Sequence, residues 1–467
     1  MIDAIGIIIG VDMYDEVTSS ALVFSVKTDN IGTSAANQFT IQTSGAGYAY
    51  DISTSDGQTI NGNIGNKTIT FPTAGTYDIE ITGLFPQFYY NNSGDKAKLL
   101  DIKIFGIYGI GSTDQAFAFY GCINMIISAT DIGHFENVTN FEKCWQGCNA
   151  LTSLPLIDTS SGTNFNSAWR LCRGLLSFPL LNTSQGTTFT FTWAEDSKLT
   201  SFPLIDTSNA DDFSNAWENC SGLTSFPLIN TAKATNIGSS WQGCNALTSF
   251  PLIDTNNVTN FITAWYKCSS LTSFPLISVS KAAIFNSAWQ NCSSLTSFPL
   301  IDMSLVTNIS SAWQNCSSLT SFPLLDTSNN ISCNSTWRGC VNLLSFPAID
   351  TGKVITFTNA WYDCKKLTSL PLLNMDKSTS FNGTWRGCLE LSDFPSNSFD
   401  GCVTNSYPNA FLITNLSEQS IDGILVSIDT SGTINGSFAQ SGGSVPSAIG
   451  ITAKNNLISK GWTIITT

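Results

Sequence analysis

Apolar positions recur along this chain with a period of 24 residues, between runs of Ser, Thr and Asn. Trp marks the period: Trp145, Trp169, Trp193, Trp217, Trp241, Trp265, Trp289, Trp313, Trp337, Trp361 and Trp385. A period kept eleven times predicts a stacked solenoid, because one such unit cannot bury its own apolar face. Four residues before Trp stands Phe in most repeats, and three after it stands Cys, as in Phe261, Trp265 and Cys268. That i, i+4, i+7 spacing predicts one face of a short helix. Six residues after Trp there is always Leu, opening runs such as Leu151-Thr152-Ser153-Leu154-Pro155-Leu156. The L-x-x-L-x-L spacing predicts short parallel strands stacking at ~4.8 Å, and twelve turns predict a rod of about 55–60 Å. Pro in every such run, from Pro155 to Pro395, removes one donor per turn and places the strand's end near it.

After Pro come two apolar residues and then Asp, Asn or Ser, as at Asp158, Asn182, Asp206 and Asn230. A polar residue at a bend is expected to hydrogen-bond the backbone of its own turn. A calcium-binding Asp row is the weaker reading, since the G-x-D pattern of calcium rolls is missing.

The pattern changes at both ends. Residues 20–111 alternate apolar and polar, as in Tyr77-Asp78-Ile79-Glu80-Ile81, between Asp56-Gly57, Asn61-Gly62 and Ala74-Gly75 turn signals. They predict a small β-sandwich. Residues 112–405 are the solenoid. Residues 406–467 predict a small α/β module, with helices near 420–428 and 448–459 and a final strand by Trp462. The fold class expected is therefore mixed α/β: a β-sandwich, a leucine-rich-repeat solenoid with short helices, and a C-terminal module. Residues 1–19 stand apart. Ile5, Ile7, Ile8, Ile9 and Val11 form an apolar run too short to span a bilayer, without the basic flank of a signal peptide. They are the candidate docking segment for a neighbouring protein.

Composition narrows the chemistry. Charged residues make up only 12% of the 467, and the formal net charge is −14. No Lys/Arg cluster suits a phosphate backbone, so nucleic acid is not an expected partner, and no segment suits membrane insertion. The fourteen cysteines include no C-x-x-C pair, and His134 is the sole histidine. Zinc is not expected; buried free thiols are, because Asp196 replaces one ladder cysteine without breaking the repeat. No cofactor is expected. Glu195-Asp196 and Asp211-Asp212 are the nearest approach to a catalytic carboxylate pair, and each reads as a solvated turn. The expected activity is binding without catalysis. The candidate ligand face is the hydroxyl rows of Thr224-Ser225, Thr248-Ser249, Thr272-Ser273 and Thr296-Ser297, whose Leu and Phe neighbours point inward. Repeating hydroxyls suit a repeating ligand such as a glycan. The alternative is that these rows only keep a low-charge surface soluble.

The repeat Asn-x-x-x-Ala-Trp-x-x-Cys-x-x-Leu-Thr-Ser-Phe-Pro-Leu-Ile-Asp-Thr resembles the BspA-type leucine-rich repeat of bacterial surface proteins. Pieces of the N-terminal segment, among them Ser55-Asp56-Gly57, Gly75-Thr76-Tyr77 and Gly83-Leu84-Phe85-Pro86, resemble a PKD-like domain, with Thr54-Ser55 where Trp is usual. Ser420-Ile421-Asp422-Gly423-Ile424-Leu425 and Lys460-Gly461-Trp462-Thr463 look like a module of bacteriophage structural proteins. These resemblances imply a virion protein, a tail fibre or related component, assembled in the host cytoplasm. Its implied partners are other virion proteins and a host surface glycan or protein, with a homo-oligomer, a trimer, as its state. The alternatives are a bacterial surface adhesin, a capsid or tail decoration protein, and a polysaccharide-degrading tail spike.

Overall fold

The computed structural model describes residues 21–467, so the candidate docking segment at residues 1–19 lies outside the described residues. The chain builds an N-terminal sheet, a long solenoid of turns and a C-terminal cap, threaded by one continuous core.

The N-terminal unit holds β1 (Leu22–Lys27), β2 (Gln38–Ile41), β3 (Ala49–Thr54), β4 (Thr59–Asn63), β5 (Lys67–Thr70), β6 (Thr76–Leu84), β7 (Leu99–Ile104) and β8 (Ile126–Ile127). Six of these form one sheet in the order β4-β3-β6-β1-β7-β8, and β2 pairs separately with β5. The β2–β5 ribbon sets Phe39 against Phe24 of β1, with ring centroids 6.1 Å apart. Asp56-Gly57 makes the β3–β4 turn as expected, but Asn61-Gly62 lies inside β4. There Gly62 N–H is held by the Asp51 carboxylate at 2.7 Å. The last pairing, β7 with β8, is parallel and joins the sheet directly to the first coil of the solenoid.

The solenoid corrects the expected fold class. The two α-helices among the described residues both lie in the C-terminal cap, and the repeat contains none. The coil around Trp265 shows why. Ala264, Tyr266 and Cys268 N–H close turns onto Phe261, Thr263 and Trp265 carbonyls, three residues back. The intervening N–H groups of Thr263, Trp265 and Lys267 donate instead to Asn286, Ala288 and Gln290 of the next coil, at 2.8–3.0 Å. Thr263 and Lys267 are left-handed, with φ of 53° and 62°. An α-helix directs every N–H four residues back and keeps φ negative, so these stacked turns cannot be one. A turn also returns residues three apart to the same side, which reproduces the spacing that reads as helical.

The expected strands are missing for a related reason. In the Leu-Thr-Ser-Phe-Pro-Leu run only Thr bonds the neighbouring coil, as Thr272 N–H to Thr248 O at 3.2 Å. Pro275 has no N–H, and Ile277 N–H turns back onto the Pro275 carbonyl at 3.0 Å. Parallel pairing survives mainly as single bridges five residues before Trp, from Asp114↔Asn140 to Thr356↔Ser380.

What holds the coils together is stacked aromatic rings. Trp265 lies parallel to Trp241 and Trp289, with centroids 5.8 and 5.5 Å away. Phe274 meets it edge to face at 4.7 Å. The buried Thr two residues past Ile ties coil to coil, as Thr231 Oγ1 to Asp254 O at 2.6 Å. The bend residues behave as expected: Asp254 accepts from Asn256 N–H at 3.0 Å and Asp302 from Ser304 N–H at 3.0 Å.

At the far end β9 (Ser406–Phe411) stands in for the next coil. Gly383, Trp385 and Gly387 donate to Pro408, Ala410 and Leu412. β9 pairs with β10 (Ser437–Gln440), and β10 with β11 (Thr463–Ile465), all parallel. Helices α1 (Glu418–Thr430) and α2 (Ala448–Ser459) lie where the residue pattern expects them. Ser420 and Ser427 of α1 accept from Phe394 and Phe399 N–H, at 2.9 and 2.8 Å, closing the last coil.

Candidate ligand-binding surfaces

The path of each coil fixes which side chains reach solvent. The Thr-Ser pairs lie outside, and Thr224, Ser225, Thr248, Ser249, Thr272, Ser273, Thr296 and Ser297 are all exposed in one continuous row. Their hydroxyls are not equivalent. Thr248, Thr272 and Thr296 Oγ1 donate to the Thr carbonyl of the preceding coil at 3.2–3.4 Å. The Ser hydroxyls of this row have no protein partner among the described residues. The structure therefore spends half of the hydroxyl face on holding coils together.

A stripe of leucine runs beside that row. Of the two apolar residues after Pro, only the second faces inward: Ile253 is 2% exposed while Leu252 is 59% exposed. The same holds along the solenoid, with Leu156, Leu180, Leu204, Leu228, Leu276, Leu300, Leu324 and Leu372 all between 59% and 64% exposed. Sequence reasoning missed this stripe because two adjacent apolar residues carry no periodicity of their own. The Pro before them was the available signal, since the turn it starts sends neighbours to opposite sides.

A third feature is concave. A groove of about 650 Å³ runs across six coils between two rows, two and four residues after Trp. One wall holds Lys267, Asn291, Asn315, Gly339 and Asp363; the other holds Asn245, Ser269, Ser293, Ser317, Val341 and Lys365. Six coils at ~4.8 Å make it about 24 Å long. The first wall is built from residues that tolerate left-handed backbone: Asn291 and Asn315 have φ of 65° and 61°, and Gly339 has 75°. The amide of Asn315 donates to Asn291 at 2.9 Å, and Ser317 Oγ to Ser293 O at 3.2 Å. In the two central coils the ladder lines the groove with an amide and a hydroxyl each, while the coil after them contributes only Gly339 and Val341. Lys267 and Lys365 stand near its ends.

The carboxylate pairs separate. Asp211 is exposed, and Asp212 accepts from Ser214 N–H at 2.8 Å. Glu195 is held by Arg170 at 3.2 Å and Arg173 at 2.7 Å. Asp196 is not the solvated turn expected of it. It is fully buried in the cysteine column, neither carboxyl oxygen has a partner, and burial pushes its pKa far up. Among the described residues no three His, Cys, Asp or Glu side chains converge as metal ligands, and no helix is long and apolar enough to cross a membrane. All fourteen cysteines are buried and unpaired.

Among the described residues the N-terminal unit holds one buried ion pair. The Lys98 ammonium donates to Ser34, Ala35 and Gln38 carbonyls at 2.9–3.1 Å, with Asp95 at 3.9 Å. Asp95 accepts from Thr33, Ser34 and Thr40 N–H at 2.7–3.0 Å. The pair fastens the loop between β1 and β2. It is a structural clasp, with no face open to a ligand.

No family model matches the chain, and no curated protein matches it.

Proposed function

We propose that this chain is a non-enzymatic structural protein of a bacteriophage particle, a tail fibre or related component, that binds the host cell surface. The observation that carries the binding half is the long groove, in which Asn291 and Ser293 of one coil are repeated by Asn315 and Ser317 of the next. A repeating polar groove suits a repeating polar ligand, held by many weak hydrogen bonds rather than one deep pocket. A surface polysaccharide has that chemistry. The groove is preferred over the Thr-Ser face because it is concave. The virion half rests on the likeness of the C-terminal pieces to phage structural modules. It is also favoured by fourteen unpaired thiols, which fold without wrong pairing in a reducing compartment.

The test has two arms. Asn291→Gly, Asn315→Gly, Ser293→Ala and Ser317→Ala together strip the groove, and Gly keeps the left-handed backbone those two positions require. Retention on a panel of immobilised bacterial surface polysaccharides is expected to fall at least tenfold. Unchanged retention by the folded variant would rule the groove out, and release of soluble sugar by the wild type would rule out a non-enzymatic role. Immunogold labelling of phage particles tests the virion assignment, which fails if particles that carry the gene stay unlabelled.

A further inference from the structure

We propose that the leucine stripe is the seam along which two copies of this chain lie side by side, in parallel. Nine leucines between Leu156 and Leu372, one per coil except where Ala348 takes the position, are each about three-fifths exposed. At roughly 100 Å² apiece they offer on the order of 900 Å² per chain, and two chains together on the order of 1,800 Å². That is the area of a specific, stable interface, and more than a lone soluble protein usually leaves exposed in one patch. Periodicity selects the partner. A row of leucines one coil apart is matched height for height by another row of the same spacing, and a second copy carries that spacing along its whole length.

Charge selects the orientation. The chain crosses the exposed face in a fixed order: Thr-Ser on one side of the stripe, then Pro and Leu, then the bend residue. Asp206, Asp254, Asp302, Asp326 and Asp350 are exposed bend residues and make this row net acidic, with Asn182, Asn230, Ser278 and Asn374 at the neutral bends. Each aspartate uses one carboxyl oxygen on its own turn, as Asp326 does with Ser328 N–H at 3.0 Å, and keeps the other free. If two copies face each other antiparallel, across a two-fold axis perpendicular to the rods, the acidic row of one meets the acidic row of the other. If the axis runs along the rods, the acidic row of each copy meets the Ser hydroxyl row of its partner. The first arrangement stacks like charges; the second supplies each free carboxylate oxygen with hydroxyl donors at the same height, Ser249 opposite Asp254 among them. None of the stripe leucines lines the polar groove.

Sedimentation velocity on the full chain tests the seam. The wild type is expected to sediment as a dimer at micromolar concentration. The variant Leu228→Glu, Leu252→Glu, Leu276→Glu is expected to sediment as a monomer with unchanged near-ultraviolet circular dichroism. Leu→Ser at the same positions repeats the test without added charge, in case the glutamates disturb the fold. A monomeric wild type, or variants that stay folded and oligomeric, would overturn the seam. Orientation is read from nitroxide labels on Thr152→Cys, at the N-terminal end of the stripe, since the native thiols are buried. A label separation of about 20–30 Å supports the parallel pair, while labels a rod length apart, on the order of 50 Å, would overturn it.

Discussion

The Cys268 thiol donates to the Trp241 carbonyl oxygen, one coil earlier, at 3.1 Å. The same carbonyl also accepts the Cys244 N–H at 3.1 Å. This shared acceptor recurs at Cys292 with Trp265 and at Cys316 with Trp289, both at 3.2 Å. The thiol is a small donor that satisfies a buried carbonyl between aromatic columns. It explains why a ladder of cysteines one coil apart has no need of disulfides.

The thiols are therefore expected to be free and unreactive. Burial pushes the Cys292 and Cys340 thiols up to about 12. At pH 8 the native protein should resist alkylation, since the thiolate is the reacting form. Unfolding in denaturant without reductant should release fourteen titratable thiols. Recovery of disulfides would refute the reading.

Asp196 breaks the thiol ladder and should weaken it. Its carboxyl is buried beside Cys172, Cys220 and the Glu195 carboxylate, with no partner for either oxygen. Its folded pKa is raised, so the folded state holds a proton that the unfolded chain loses above about pH 4. Stability from this site is thus fully present at low pH and falls as pH rises. Asp196→Cys restores the donor and should stabilise the protein by on the order of 2 kcal/mol at neutral pH. Thermal melts should show a larger gain at pH 8 than at pH 4. An equal gain at both would mean that ionisation is not the cause.

Trp265→Ala removes a ring stacked on both faces and should cost ~3–5 kcal/mol. The loss should also spread. The aromatic core passes without a break from Phe88 through Phe119 and Trp145 at one end. At the other end it passes from Phe381 to Tyr407 and on to Trp462, with centroids 5.1 and 6.0 Å apart. Hydrogen exchange should detect faster opening of several coils around the substitution. Exchange confined to one coil would contradict a cooperative stack.

The Lys98–Asp95 clasp should behave as a buried pair does when one partner is removed. Lys98→Met leaves the Asp95 carboxylate buried without its counter-charge, held only by its hydrogen bonds, and should cost about 3–5 kcal/mol. Although burial opposes its charge, hydrogen bonds from Ser34 and Thr40 with the Lys98 ammonium hold the Asp95 carboxyl below the usual carboxylate range. That contribution is present above about pH 4 and is lost as pH falls through the lowered folded pKa. Urea unfolding of wild type and variant at pH 7 and pH 3 should show the difference shrinking at acid pH.

The amino-acid sequence by itself determined the periodicity, the inward Trp, Phe, Cys and Leu, the bend residues and both C-terminal helices. Those follow from spacing and from side-chain chemistry that acts within one coil, such as Asp254 accepting from Asn256. Only the tertiary structure decided that the repeat is turns rather than helices and strands. Residues three and four apart share a side in a turn as they do in a helix, so spacing alone cannot separate the two. The choice was made between coils, where Trp265 N–H finds the Ala288 carbonyl, 23 residues on in sequence, and no helical bond can form. The leucine stripe and the polar groove were decided there as well, because which of two adjacent apolar residues faces solvent depends on where the neighbouring coil lies.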